Sequence, residues 1–122
     1  MQVSDIITRA RLTLSDPAIG DPQNPADYEP RWDDTSLLVY TNDAVRELVA
    51  MRPDLYVNNL CALAQFSVLY TTADYIVMDD YFIGVLAERV ICGALREDDS
   101  DKNSAVEAEA HYARFQTLAM GG

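Results

Sequence analysis

The chain of 122 residues carries 20 acidic against 9 basic side chains, a formal net charge of -11. That balance argues against specific nucleic-acid binding, which draws its affinity from basic groups on phosphates. Hydrophobic residues make up 49 % of the sequence, enough for the core of one domain, yet no run approaches the roughly 20 apolar residues of a membrane span. Met1 to Asp5 show no basic region leading into an apolar core, so no secretory signal is expected and the chain is expected to stay in the cytoplasm where it is made.

Ile6, Ile7, Ala10 and Leu14 recur at helical spacing and predict a first amphipathic helix from about Ser4 to Leu14, with Ser4 as its cap. Pro17, Pro22, Pro25, Pro30 and Gly20 make residues 15–30 a Pro-rich loop. A sharp helix start follows. Asp33 suits the N-cap, where its carboxylate accepts from first-turn amides, and Asp34 complements the helix dipole at the first helical position. On that register Trp32 and Leu37 occupy the two positions of a hydrophobic staple. A Trp stacking on a sugar or base is the alternative, and the staple is preferred because its spacing is met. The second helix runs from Asp34 to about Arg52, burying Leu37, Leu38, Thr41, Ala44, Val45, Leu48 and Val49, and Pro53 ends it. Its length predicts that it is the central element.

Residues 58–78 read two ways. Leu60 to Ala64 suit either state, while Phe66 to Thr72 are rich in β-branched and aromatic side chains. A helix from Asn59 to about Val77 would align Leu63, Phe66, Tyr70 and Ala73, and it is preferred to a small β-hairpin, which stays open. Asp79 and Asp80 resemble a cap before Phe82, Ile83, Leu86, Ala87, Val90, Ile91 and Ala94, a helix apolar around most of its circumference and hence deeply packed. Gly84 and Gly93 on it would permit close approach. After a polar turn from Glu97 to Ser104, the residues Ala105, Ala108, Tyr112, Phe115 and Ala119 space themselves as a packing seam on a last helix. The expected fold is mainly α: a bundle of four to five helices in one domain over residues 1–122, with a short flexible C-terminal tail.

Little on this frame suggests chemistry. Asp99 to Ser104 resemble the opening of a calcium loop, but Ser104 stands where Gly is needed and Ala110 where a bidentate Glu is required. His111, the single histidine, has Glu107 four residues before it, which suits an ion pair and is too few ligands for a metal. Cys61 and Cys92 lie among apolar neighbours, outside any Cys-x-x-Cys pair, and read as reduced core thiols. The acid pairs Asp33-Asp34, Asp79-Asp80 and Asp98-Asp99 suit caps and turns, since neighbouring helical residues point apart. Tyr40 and Tyr81 read as rim residues covering the core. No hydrolase, phosphate-loop or nucleophile-elbow pattern occurs, so no catalytic residue, cofactor or metal is expected. On residues alone, a small acidic helical interaction module or regulator fits.

A longer pattern adds to this. Arg31-Trp32-Asp33-Asp34, Leu37-Leu38, Asn42-Asp43-Ala44, Arg46-Glu47 and Arg52-Pro53-Asp54 resemble the N-terminal signature of tailed-phage head-to-tail adaptor proteins. Asp79-Asp80-Tyr81, Ala94-Leu95, Glu97-Asp98 and Ala108-Glu109-Ala110-His111-Tyr112 leading to Phe115 look like the C-terminal half of the same family. Members often carry a longer β-hairpin insertion after Arg-Pro-Asp than Leu55 to Met78 allow here. The resemblance implies a non-enzymatic virion protein, made in the host cytoplasm and placed at the head-tail junction. It would form a homo-oligomeric ring, a dodecamer, that joins the portal protein to tail or nozzle proteins and lets DNA pass without specific binding. By analogy, the segment from Arg114 to Gly122 would reach the portal, with Tyr112, Arg114, Phe115, Leu118 and Met120 at a subunit or portal interface.

Overall fold

A computed structural model describes residues 1–14, 32–55, 69, 71–97 and 103–121. They form a helical bundle: α1 (Val3–Leu14), α2 (Asp34–Met51), a short 3-10 turn (Pro53–Leu55), α3 (Phe82–Arg96) and α4 (Asn103–Ala119). The expected Pro-rich loop at 15–30, the acidic turn around Asp99, and Cys61 lie outside the described residues.

The apolar periodicity places α3 at the centre. Eleven of its fifteen residues are buried, and it packs against α1, α2 and α4. The longer α2, expected to be central, is instead one wall of the bundle, because only its stripe of Leu37, Thr41, Asn42, Ala44, Val45 and Leu48 is buried. The expected cap at Asp79-Asp80 is not formed: Tyr81 stands at the N-cap of α3 without a side-chain cap bond, and Asp79 makes the turn before it, accepting the Tyr81 N–H on its carboxylate at 2.8 Å and the Phe82 N–H on its carbonyl at 3.0 Å. On α4, Ala108, Phe115 and Ala119 are fully buried and Tyr112 is half-buried, but Ala105, assigned to the same seam, is exposed. Gly121 follows α4 at φ 84°, the left-handed conformation that suits glycine, and its N–H returns to Leu118 O at 3.1 Å.

The start of α1 departs from expectation. Ser4 lies inside the helix and is not its cap. Asp5 instead accepts the Gln2 N–H at 2.9 Å, and the free amides of Val3 and Ser4 donate to Asp74 O at 3.0 Å and Thr72 O at 2.9 Å. Carbonyls some seventy residues away thus satisfy donors that a helix start leaves unpaired. The same arrangement explains why residues 71–77 are not helical, against the preferred reading. Thr71 donates through its N–H and hydroxyl to the Asp74 carboxylate, and Met1 and Ile76 exchange backbone hydrogen bonds at 2.8 and 3.1 Å. Among the described residues an isolated antiparallel bridge joins Tyr75 to Gln2; residues 56–68 and 70, where the other arm of the hairpin left open for 58–78 would fall, lie outside the described residues.

Candidate functional site

The motif residues of the sequence gather at three joints, and each joint ties a connection to the bundle. At the first, Asp33 has extended backbone and its carboxylate accepts the Ser36 N–H at 2.7 Å. That bond holds the carboxyl below the usual carboxylate range. Trp32 and Leu37 are both buried in the core, and the Trp32 indole N–H donates to Ala94 O at 3.1 Å, fixing the start of α2 to the end of α3. Arg11 of α1 closes the joint, donating to Trp32 O at 2.9 Å and to the Asp34 carboxylate at 2.8 Å.

At the second joint, the Asn42 amide reaches across to Leu69, donating to its carbonyl at 3.0 Å and accepting its N–H at 2.8 Å. A buried polar group is tolerated only when bonded, and here side chain and backbone satisfy each other. The Arg-Pro-Asp element makes the third. Arg52 donates to Asp54 through two nitrogens, at 3.2 and 2.9 Å, and to Ala119 O at 3.0 Å, so a cation sits at the carbonyl end of α4.

A polar seam runs along α3 where it meets α2 and α4. Arg89, buried on α3, pairs with Glu47 of α2 at 2.9 Å. Burial opposes its charge, and the Glu47 carboxylate outweighs that, holding the guanidinium above its ordinary value. Arg89 and Arg96 both lie over the Tyr112 ring, 5.8 and 4.9 Å from its centre, and Arg96 pairs with Glu109 at 2.9 Å. His111 meets Glu88 of α3, not Glu107 of its own helix; tertiary packing brought a closer carboxylate than the local i,i+4 neighbour. Tyr40 lies across Gly93 so closely that a Cβ there would be 2.9 Å from two of its ring carbons. Gly84 marks no such approach, its nearest neighbour being the end of the Arg9 side chain at 3.9 Å.

Of the five residues expected at an interface, the structure separates two groups. Phe115 is fully buried, so it is a core residue and not a surface contact, and Tyr112 is engaged by the two arginines. Arg114 and Met120 are exposed, and half-buried Leu118 lines a cleft of about 350 Å³ with Arg9, Asp80, Tyr81, Ile83 and Glu88. Tyr40 is half-buried at the rim, as expected, whereas Tyr81 is mostly exposed. Arg11, Asn42 and Arg89 were not singled out as buried polar anchors. Only Asn42 carried a signal, a polar residue three before Val45 and four after Leu38 on an apolar stripe.

The groups at these joints hold parts of the bundle together through hydrogen bonds and ion pairs. Among the described residues, no three His, Cys, Asp or Glu side chains are grouped to hold a metal ion, and no helix is long and apolar enough to cross a membrane. Burial pushes the Cys92 thiol up, away from the thiolate a nucleophile needs. No protein-family model, curated protein or solved structure matches this chain.

Proposed function

We propose that this chain is a non-enzymatic structural subunit of a tailed-phage virion, an adaptor that joins copies of itself in a ring between the portal and the tail. The observation that carries the reading is the order of the two motif blocks, from Trp32-Asp33 through Asn42-Asp43-Ala44 and Arg52-Pro53-Asp54 to Ala108 through Phe115. Support comes from where those residues fall. Trp32, Asn42 and Arg52 each fasten a connection to the frame, as a load-bearing ring subunit without chemistry requires. Arg114 and Met120 remain exposed on α4 and its end, available to a portal. The net charge of -11 suits a lumen along which DNA slides, since carboxylates repel phosphates.

Electron microscopy of the purified chain mixed with the portal of the same virion tests this. A ring of adaptor copies seated on the portal is the expected image. A chain that stays monomeric and leaves the portal bare would return the assignment to a small acidic helical interaction module. Removing Met120 to Gly122 should abolish portal binding while leaving helix content unchanged; retained binding would exclude the C-terminal contact.

A further inference from the structure

Among the described residues seven large apolar side chains stand exposed, and three of them fall within seven residues of one another: Tyr75 at 68 %, Val77 at 73 % and Tyr81 at 56 %. The other four, Leu12, Val39, Val106 and Met120, are scattered over α1, α2 and α4 and its end. The stretch also has an open backbone edge. Its inner side is taken by the first residues of the chain, through Val3 N–H to Asp74 O and the exchange between Met1 and Ile76. Alternation along an extended chain therefore turns the N–H and C=O of Tyr75, and the N–H of Val77, to the opposite side. None of these three groups has a hydrogen bond among the described residues. The edge ends at Val77, where Met78 N–H turns back to Ile76 O at 3.0 Å.

Unpaired extended backbone flanked by apolar side chains is a template for an added strand. Charge selects the occupant. From Thr71 to Glu88 the chain contains Asp74, Asp79, Asp80 and Glu88 and no basic residue, an excess over the Met1 ammonium and Arg9, the cations placed beside Asp80. A second copy would set these carboxylates against themselves. We infer that the edge at Tyr75 and Val77 docks an extended segment of a different protein, with apolar side chains lying over Tyr75 and Val77. A lysine or arginine of that segment reaches Asp80, which lines the cleft and whose side chain, 3.8 Å from the Met1 ammonium, is still 81 % exposed. Three main-chain bonds and a few apolar contacts make this a weak, reversible contact. The inference does not depend on the adaptor reading.

The probe is a seven-residue peptide of alternating valine and threonine with a lysine at each end, titrated into the full chain at low salt by NMR and fluorescence anisotropy. Binding should shift the amides of Tyr75 and Val77. The same peptide ending in glutamates should bind at least about tenfold more weakly, the response of a charge-complementary contact. N-methylation of every second amide should abolish binding in one phase and spare it in the other, because only one set faces the edge. Tyr75→Lys and Asp80→Lys should each weaken binding about tenfold or more with helix content retained. Three results overturn the inference: no binding of the lysine peptide, equal binding of both N-methylated phases, or indifference to Asp80→Lys. Concentration-dependent self-association that Tyr75→Lys abolishes would also overturn it, by making the occupant a second copy.

Discussion

Asn42 and Leu69, 27 positions apart, are joined in both directions: the side-chain amide donates to the Leu69 carbonyl and accepts the Leu69 N–H. This one residue supplies what a paired strand would supply, and it does so from a buried place on α2.

Asn42→Leu leaves both backbone groups of Leu69 without a partner and should cost about 1–3 kcal/mol, read by urea denaturation. Asn42→Asp is more informative. It keeps the acceptor but sets a buried carboxylate against the Leu69 carbonyl, so its deficit relative to the parent should shrink as acidification protonates the new group and restores a donor. A deficit that is constant with pH would contradict the pairing.

The two α3 glycines should respond with opposite signs. Gly93→Ala drives a methyl into the Tyr40 ring, whose crowded carbons are near the backbone and cannot swing away, and should destabilise by about 1–3 kcal/mol. Tyr40→Ala should relieve most of that penalty, giving a strongly non-additive double mutant. Gly84→Ala, in the first turn of α3, meets only the end of the Arg9 side chain at van der Waals distance and should stabilise by up to about 0.5–1 kcal/mol. Thermal melts of the four variants decide the matter; equal effects at both glycines would refute the Tyr40 contact.

Phe115→Ala should cost about 3–5 kcal/mol, because a fully buried ring leaves a cavity between α3 and α4. Arg114→Ala and Met120→Ala, on exposed positions nearby, should stay within about 0.5 kcal/mol. If Phe115→Ala proved neutral in the isolated chain, its place in the core would be wrong.

At low pH two exposed carboxylates are lost as partners. Asp33 is held low by the Ser36 N–H and Asp54 by the Arg52 guanidinium, so folded chains bind these protons less readily than unfolded ones. Their contribution is complete above about pH 4, the unfolded carboxylate value, and disappears as pH falls through the lower folded values. Asp33→Asn keeps a good cap without titrating, and should make the acid limb of the stability curve shallower. Denaturant midpoints at pH 7 and at about pH 3 provide the comparison, and parallel acid limbs would remove Asp33 from the account.

The four helices were legible because each has an apolar stripe that survives in its tertiary setting, and the Asp33 cap because capping is local. Residues 71–77 were not, since their conformation is set by amides of Val3 and Ser4 that no window around Thr72 contains. His111 shows the same limit at the level of a site: sequence spacing offers Glu107, and packing of α4 on α3 delivers Glu88. Phe115 drew two readings, seam and interface, because an aromatic at a seam position serves both with the same periodicity; within the chain it is buried in the core. Arg11 and Arg89 carried no local signal, because their partners Asp34 and Glu47 lie on a different helix.

The exchange between Met1 and Ile76 carries a consequence for the order in which the chain folds. The opening turn of α1 receives its hydrogen bonds from residues more than sixty positions later, so it cannot be completed until most of the chain has collapsed. The α3 and α4 hairpin, neighbours in sequence with the broadest shared surface, can form first and offer a surface on which α2 and then α1 settle. The beginning of this protein is therefore finished last, and changes at Ile6 or Thr72 should speed unfolding while leaving the folding rate nearly untouched.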